Sequence, residues 1–432
     1  MRRLLVPTMA ALSALGGVAA FSPAHAQYAP APPPATEPRL EPSSKGAAAP
    51  ATAVPLCQGG ITKGARSALA AFQAAVVAKD SVNIPVTLAA AQAAAKSNDD
   101  RCFIGLMQMK AAIDAKNLAA LPAALEAQLA SGSIPASRIA GLYEDLGQMH
   151  HRGGALDDAA AAYQRASAIE PGRASAVILL AEARAKQNRI ADALPLYRKA
   201  IAIETAAGRV ADRKWYGRAL SVSHGAKNPL AYGFARDWVA AYPSSQNWRD
   251  AIRIYADVSG ANDDMMIDLY RLQRLTRSLS GEADHGRYAQ LLLDKGFAGE
   301  AKAVLDEGFA ANAVDRNIAS VKALHGLATT KAAGDRASLD GQATAALASP
   351  AAKQAMVLGD AYYGYGDYAK AAALYRAAQG KSGVDSELAN LRLGMALAAS
   401  GDKPGAKAAL GLVTGPRAEI ARYWATYADL RP

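Results

Sequence analysis

The sequence is short of aromatic residues, of cysteine and of long apolar runs. Phe, Trp and Tyr make up 6% of its 432 residues, with only six Phe and four Trp. An alanine-rich composition of this kind starves a β-sandwich of the aromatic and β-branched residues its packed faces require. After residue 26 no apolar run reaches the ~18 residues of a spanning helix, which excludes a multi-span membrane protein. There is no G-x-S-x-G, no Walker phosphate loop and no H-E-x-x-H, so three common catalytic signatures are missing. The six histidines give one cluster, His150-His151. Neighbours on a helix point about 100° apart and do not readily share one ion, even with Glu144 close by, so His150 reads as a packing residue. The nearest approach to a nucleic-acid patch, Arg213-Lys214-Trp215-Tyr216-Gly217-Arg218, is short and isolated and reads as a solvated helix face. Wholesale disorder is excluded as well, because 51% of the residues are hydrophobic.

What is present begins with a leader. Arg2 and Arg3, an apolar stretch from residue 4 to 21 and the small-x-small Ala24-His25-Ala26 match a secretory signal peptide cut after Ala26. Pro7, Ser13 and Gly16-Gly17 weaken the alternative, an uncleaved anchor. Losing Arg2 and Arg3 lowers the net charge from +10 to +8, which is 46 Lys and Arg against 38 Asp and Glu. That mild excess suits anionic envelope surfaces or acidic glycans. Residues 27–56 hold eight of the 21 prolines without apolar periodicity, the mark of a Pro/Ala-rich disordered linker. The two cysteines, Cys57 and Cys102, would be inert core residues in a reducing cytosol. In the oxidising compartment the leader implies, one bridge between them is expected, stabilising by about 4 kcal/mol in the chain-entropy picture.

From residue 57 onward the chain reads as helices of 12 to 17 residues separated by short polar turns. Residues 65–78, 87–96, 101–115 and 118–130 carry apolar side chains at three- and four-residue intervals and form N-terminal helical hairpins over 57–136. A repeat then emerges. Tyr143, Leu146, Gly147 and His150 precede Ala159, Tyr163, Ala166 and Pro171, and thirty-four residues on Ala193, Tyr197 and Ala200 recur with Asn188 in the turn position of Gly154. Leu358-Gly359, Tyr362, Gly366-Asp367-Tyr368, Ala371, Tyr375 and Ala378 give a third copy, followed by Leu393-Gly394, Gly401-Asp402, Ala406 and Leu410. Small residues let two helices approach closely, a Tyr fills the remaining gap, and Gly permits the tight turn.

In these positions the chain resembles the tetratricopeptide repeat superfamily, most fully over 140–205 and 352–412 and in part over 282–310 through Gly296, Ala301 and Leu305. The segments WYGRAL and YAQLLLDKGFAGEAKAVLDEGF are similar to those of secreted proteobacterial repeat proteins, a likeness that brings no assigned activity. The resemblance implies an all-α, right-handed superhelical solenoid of antiparallel hairpins over 137–432. It implies a concave groove lined by first helices, to which Glu144, Gln148, His151, Glu182, Lys353, Asp360 and Tyr363 would contribute.

No chemistry rises beside it. Asp263-Asp264 ahead of an apolar run could be a paired-carboxylate catalyst but reads as an N-terminal helix cap with a favourable dipole interaction. Residues 413–432 read as a short final helix and tail, too small for the catalytic lobe of a wall-cleaving transglycosylase, with Glu419 a surface charge. Neither catalysis, cofactor nor metal is expected. The expected role is a periplasmic or secreted scaffold binding envelope proteins or extended peptide segments. A part in polysaccharide synthesis or export, with an acidic glycan as partner, is the alternative, and a cell-wall hydrolase a third. Nucleic acid is not an expected partner, and the mature form is not expected to span a membrane.

Overall fold

Alanine-rich segments interrupted by single glycines and polar caps favour helix after helix joined by turns of a few residues. The computed structural model describes residues 57 and 59–431; the leader at 1–26 and the linker at 27–56 lie outside the described residues. Among the described residues there is no β-strand, only an isolated bridge between Ala351 and Ser382. No described helix is long and apolar enough to cross a membrane. The chain divides into two units, one running to Pro171 and the other from Gly172 onward.

The first unit holds α1 (Arg66–Val77), α2 (Asn83–Ala94), α3 (Asn98–Asp114), α4 (Leu121–Ala130), α5 (Ala136–Arg152) and α6 (Leu156–Ile169). Each helix of the pairs α1/α2, α3/α4 and α5/α6 packs on its partner. Leu69, Phe72, Val76, Phe103 and Met107 fill one core, and Met109, Leu125, Leu142 and Leu146 a second. The start of α3 is clamped. Ser97 and Asp100 form a reciprocal capping box, and Asp100 also accepts from the Thr62 N–H and hydroxyl at 2.9 and 2.8 Å. Burial works against the Asp100 charge, but the N–H groups of Ser97, Lys96 and Thr62 outweigh it and hold the carboxyl well below its usual range. Beside that clamp Cys57 and Cys102 form the expected disulfide, with Cα atoms 5.9 Å apart.

The second unit runs through α7 (Ala174–Lys186), α8 (Ile190–Ala206), α9 (Arg213–Gly225), α10 (Leu230–Ala241), α11 (Ser245–Ser259), α12 (Asp263–Leu275), α13 (Gly281–Asp294) and α14 (Ala298–Ala310). It continues with α15 (Ala319–Ala348), α16 (Ala352–Gly364), α17 (Tyr368–Gln379), α18 (Ser386–Ser400), α19 (Lys403–Leu410) and α20 (Ala418–Leu430). Asp263 and Asp264 lie in the first turn of α12, where the dipole favours them, but they are not its cap: the capping side chain is that of Asn262, which accepts from the Met265 N–H. Three helices depart from the expected 12 to 17 residues: α4 and α19 are shorter, at 10 and 8, and α15 is far longer. α15 has 30, because nothing in its Ala-rich sequence, neither proline nor a cap, stops it.

The hairpins owe their closeness to the positions that carried the repeat. A Cβ on Gly147 would lie 2.5 Å from the Tyr163 ring, and one on Gly359 2.6 Å from the Tyr375 ring. Each Tyr is buried against the glycine sixteen positions before it. The turns fit as well: Gly154 and Gly366 have φ of +82° and +78°, and Asn188 takes the same left-handed conformation at +59°.

The short final helix forms as read, as α20, but it is not peripheral. It packs on α10, α12 and α18, and Tyr423 and Trp424 are fully buried. The Tyr423 hydroxyl donates to the carbonyls of Tyr232 and Ala251 at 2.9 and 3.3 Å, and Trp424 Nε1–H donates to that of Asp268 at 3.2 Å. Glu419, read as a surface charge, is buried between Arg236 and Arg422. The second unit is therefore closed by its own C-terminal helix, and one core extends from Val177 to Ala428.

Candidate functional site

The residue after the small position of the first helix has a repeated role. Gln148, Glu182 and Asp360 occupy it, following Gly147, Ala181 and Gly359. In two of the three copies the second-helix Tyr donates its hydroxyl to that acid: Tyr197 to Glu182 at 2.7 Å and Tyr375 to Asp360 at 2.7 Å. An arginine from a following helix completes each set. Arg218 on α9 reaches Glu182 at 2.9 Å, and Arg392 on α18 reaches Asp360. The acid thus ties its own hairpin together and braces a further helix against it. Burial and the Glu182 charge both push the Tyr197 hydroxyl far above its ordinary pKa, so it stays a donor.

The two braces differ in exposure. Arg218 is 44% exposed and the pair with Glu182 faces solvent. Asp360 is sealed at 2% by an array of buried charges. Arg271 on α12 binds Glu300 through Nε and Nη2 at 3.1 and 2.8 Å and Asp360 through Nη1 at 3.1 Å. Tyr288 donates to Glu300 at 2.5 Å. Tyr363 lies beneath the Arg271 guanidinium, 4.6 Å from centroid to Cζ. Asp268 stands 3.8 Å from Arg271 and 3.6 Å from Arg392, and among the described residues its carboxyl oxygens make no hydrogen bond. Burial raises the Asp268 pKa more than Arg392 and Arg271 lower it. At Glu300 burial also opposes the charge, but Arg271 prevails and the pKa falls.

These facts place the seven groove candidates. Asp360 and Tyr363 are inside the second unit and make their contacts there, while Lys353 is exposed on the first turn of α16. Glu182 sits at the open brace. In the first unit Glu144 is buried and Gln148 and His151 are half-buried on α5, with Gln148 accepting from Arg152 at 3.3 Å. His150 meets Glu126 at 3.3 Å.

Charge singles out one stretch that a whole-chain total hides. Residues 172–260 carry fourteen Lys and Arg against seven Asp and Glu. Residues 27–171 are balanced at twelve against twelve, and 261–432 nearly so at twenty against nineteen. Almost the entire net charge of the chain beyond residue 26 therefore lies on α7 to α11. Counting by window would have exposed it. Two of these cations lie over aromatic rings: Arg198 over Phe234 and Arg213 over Tyr242, each 5.4 Å from the centroid. Lys214 is exposed and Trp215 half-buried beside them on α9, one turn before Arg218.

Close Gly–Tyr hairpins, left-handed turns and a 34-residue register decide the fold type. It is tetratricopeptide-like. No family model matches the chain, and no curated protein matches it in sequence. Similar solved structures include a tetratricopeptide repeat protein from Parabacteroides merdae, 14% identical over 69% of this chain and 99% of that one, with a TM-score of 0.31. The C-terminal part of a repeat-containing protein from Cytophaga hutchinsonii is 11% identical over 74% and 97%, with a TM-score of 0.27. A Naa15/Naa10 structure bound to HypK-THB is 15% identical over 82% and 65%, with a TM-score of 0.30. What defines the fold type is the hairpin geometry, not these likenesses.

Proposed function

We propose that this chain is an exported scaffold that binds an extended, acidic protein segment along α7 and α9. The observation that carries the reading is the basic stretch 172–260, with its open Glu182–Arg218 brace, beside an α16–α18 region whose equivalent brace is sealed. A preformed helical face loses little freedom on binding, and basic side chains steer an acidic partner to it. The Cys57–Cys102 bridge and the leader-like residues 1–26 support a periplasmic or secreted address, and with it a role among envelope proteins. An acidic glycan of a polysaccharide export system is the second reading, supported by the half-buried Trp215, Tyr232 and Trp238 close to the same cations.

The test is crosslinking in living cells from a photoreactive amino acid placed at Trp215, with Lys403 as the control position. Capture of defined envelope proteins from residue 215 alone, lost when Arg213 and Lys214 are changed to Glu, is the expected outcome. Recovery of glycan instead replaces the first reading with the second. Equal capture from both positions defeats both.

A further inference from the structure

Away from the basic face, the junction of α14 and α15 encloses an open cavity of about 480 Å³, within the size range of small-molecule sites. Asp306, Phe309, Arg316, Asn317, Lys322 and His325 line it. Its charges are unequally engaged. Asp306 already holds Lys302 at 2.5 Å and His325 Nε2 at 2.7 Å. Those partners outweigh the opposing effect of burial and keep its carboxyl below the usual range, so it is an anion already answered. His325 is fixed further by packing edge-to-face on Phe309, with centroids 5.2 Å apart. The Arg316 guanidinium carbon lies over the same ring, 5.3 Å from its centroid, and among the described residues it makes no ion pair. Lys322 on the first turn of α15 likewise has no acidic neighbour among the described ion pairs and is exposed at the rim.

Two unanswered cations thus converge on a cavity that also has an apolar wall of Phe309 and Ala310. A guanidinium resting over a ring still offers its planar fork of N–H donors, suited to two oxygens of one planar or tetrahedral oxyanion. A bare ion would leave the apolar wall in water, whereas an organic anion covers it. We infer that this cavity binds a small organic oxyanion, a carboxylate or a phosphate monoester on a ring-sized body, with Arg316 and Lys322 as its anion ligands and Phe309 and Ala310 as its apolar wall. The inference stands apart from the scaffold reading, since it uses no residue of α7 to α11.

The probes are phenyl phosphate, benzoate and inorganic phosphate, titrated calorimetrically into the full chain. Phenyl phosphate or benzoate should bind, the tighter of the two naming the anion class, and inorganic phosphate should bind more weakly than either. Arg316→Gln should weaken binding by about tenfold, as expected for loss of a charge-assisted hydrogen-bonded contact. Lys322→Gln should weaken it by a smaller factor, and Lys227→Gln, remote in sequence on the α9–α10 turn, should leave it unchanged. Unaltered circular dichroism of each variant separates a lost site from a lost fold. No binding of either aryl anion at millimolar concentration overturns the inference. So does unchanged binding in the doubly substituted Arg316→Gln, Lys322→Gln protein, or inorganic phosphate binding as tightly as the aryl anions.

Discussion

Glycine and carboxyl groups in this molecule act in opposite directions according to what surrounds them. Gly359 has the Tyr375 ring where a Cβ would go, whereas Gly326, two turns into α15, has nothing within 4 Å. Gly359→Ala should therefore lower stability by about 1–3 kcal/mol through overpacking, while Gly326→Ala should raise it by up to about 1 kcal/mol through helix propensity. Denaturant midpoints at constant slope measure both. The buried carboxyls Asp268 and Glu300 form a second contrasting pair. The folded-state pKa of Asp268 is raised, so its contribution is complete below the ordinary carboxylate pKa and is lost as pH climbs through the raised value. Asp268→Asn removes that loss. The variant should be at least as stable as the parent at neutral pH, with a flatter dependence above about pH 4. Glu300 has a lowered pKa, and its stabilisation exists above the ordinary value and disappears on acidification. Glu300→Gln takes from the buried Arg271 one of its two hydrogen-bonded carboxylates, leaving Asp360, and should cost about 3–5 kcal/mol at neutral pH. Thermal melts across the acid range read both signs, and an Asp268→Asn variant that loses stability with rising pH as steeply as the parent would contradict the raised pKa.

Elements show why some of this architecture was legible and some was not. Hairpins such as α5/α6 and α16/α17 are specified within about 34 residues, and each instruction (Gly147 for approach, Tyr163 for filling, Gly154 for the turn) acts on near neighbours. All of them could be read from spacing. α20 carries no such local instruction. Its Tyr423 and Trp424 look like any amphipathic helix face in sequence, and their partners, the carbonyls of Tyr232, Ala251 and Asp268, lie more than 150 positions earlier. Long-range closure of that kind leaves no periodic trace, so Glu419 passed as surface and Asp360 and Tyr363 passed as groove. The same remoteness gives α20 its leverage. Trp424→Ala should cost about 3–5 kcal/mol, as for a large buried aromatic, and should speed amide exchange in α10 and α12 more than in the adjacent α19. A loss confined to α18–α20 would show instead that the helix merely caps its own neighbours.

At the scale of the whole molecule the two units are stabilised by different means. The second rests on two apolar clusters, the larger running from Val177 to Ala428, with charges locked among them. The first is smaller and divides its apolar side chains between two clusters, and it holds the disulfide. The pair Cys57 and Cys102 was legible because two cysteines permit one pairing, but nothing in the sequence indicated how much else converges there. Asp99 accepts from the Gly59 N–H at 2.9 Å and Asp100 from Thr62, so the segment at 57–62 is fastened to α3 by hydrogen bonds as well as by sulfur. The bridge closes a loop between positions 45 apart, and opening it should cost the first unit roughly 4 kcal/mol less the part those hydrogen bonds retain. Hydrogen exchange with and without reductant separates the contributions. Protection in α1 to α4 should fall on reduction while that of α16 to α20 stays constant, because the bond constrains only the unfolded chain of its own unit. Cys102→Ala should match the reduced protein within a further cavity cost, and Asp100→Asn in the reduced protein should then release the segment at 57–62 before α3 itself unfolds. Equal loss of protection across both units would mean that they unfold as one cooperative body and that the bridge serves the whole chain.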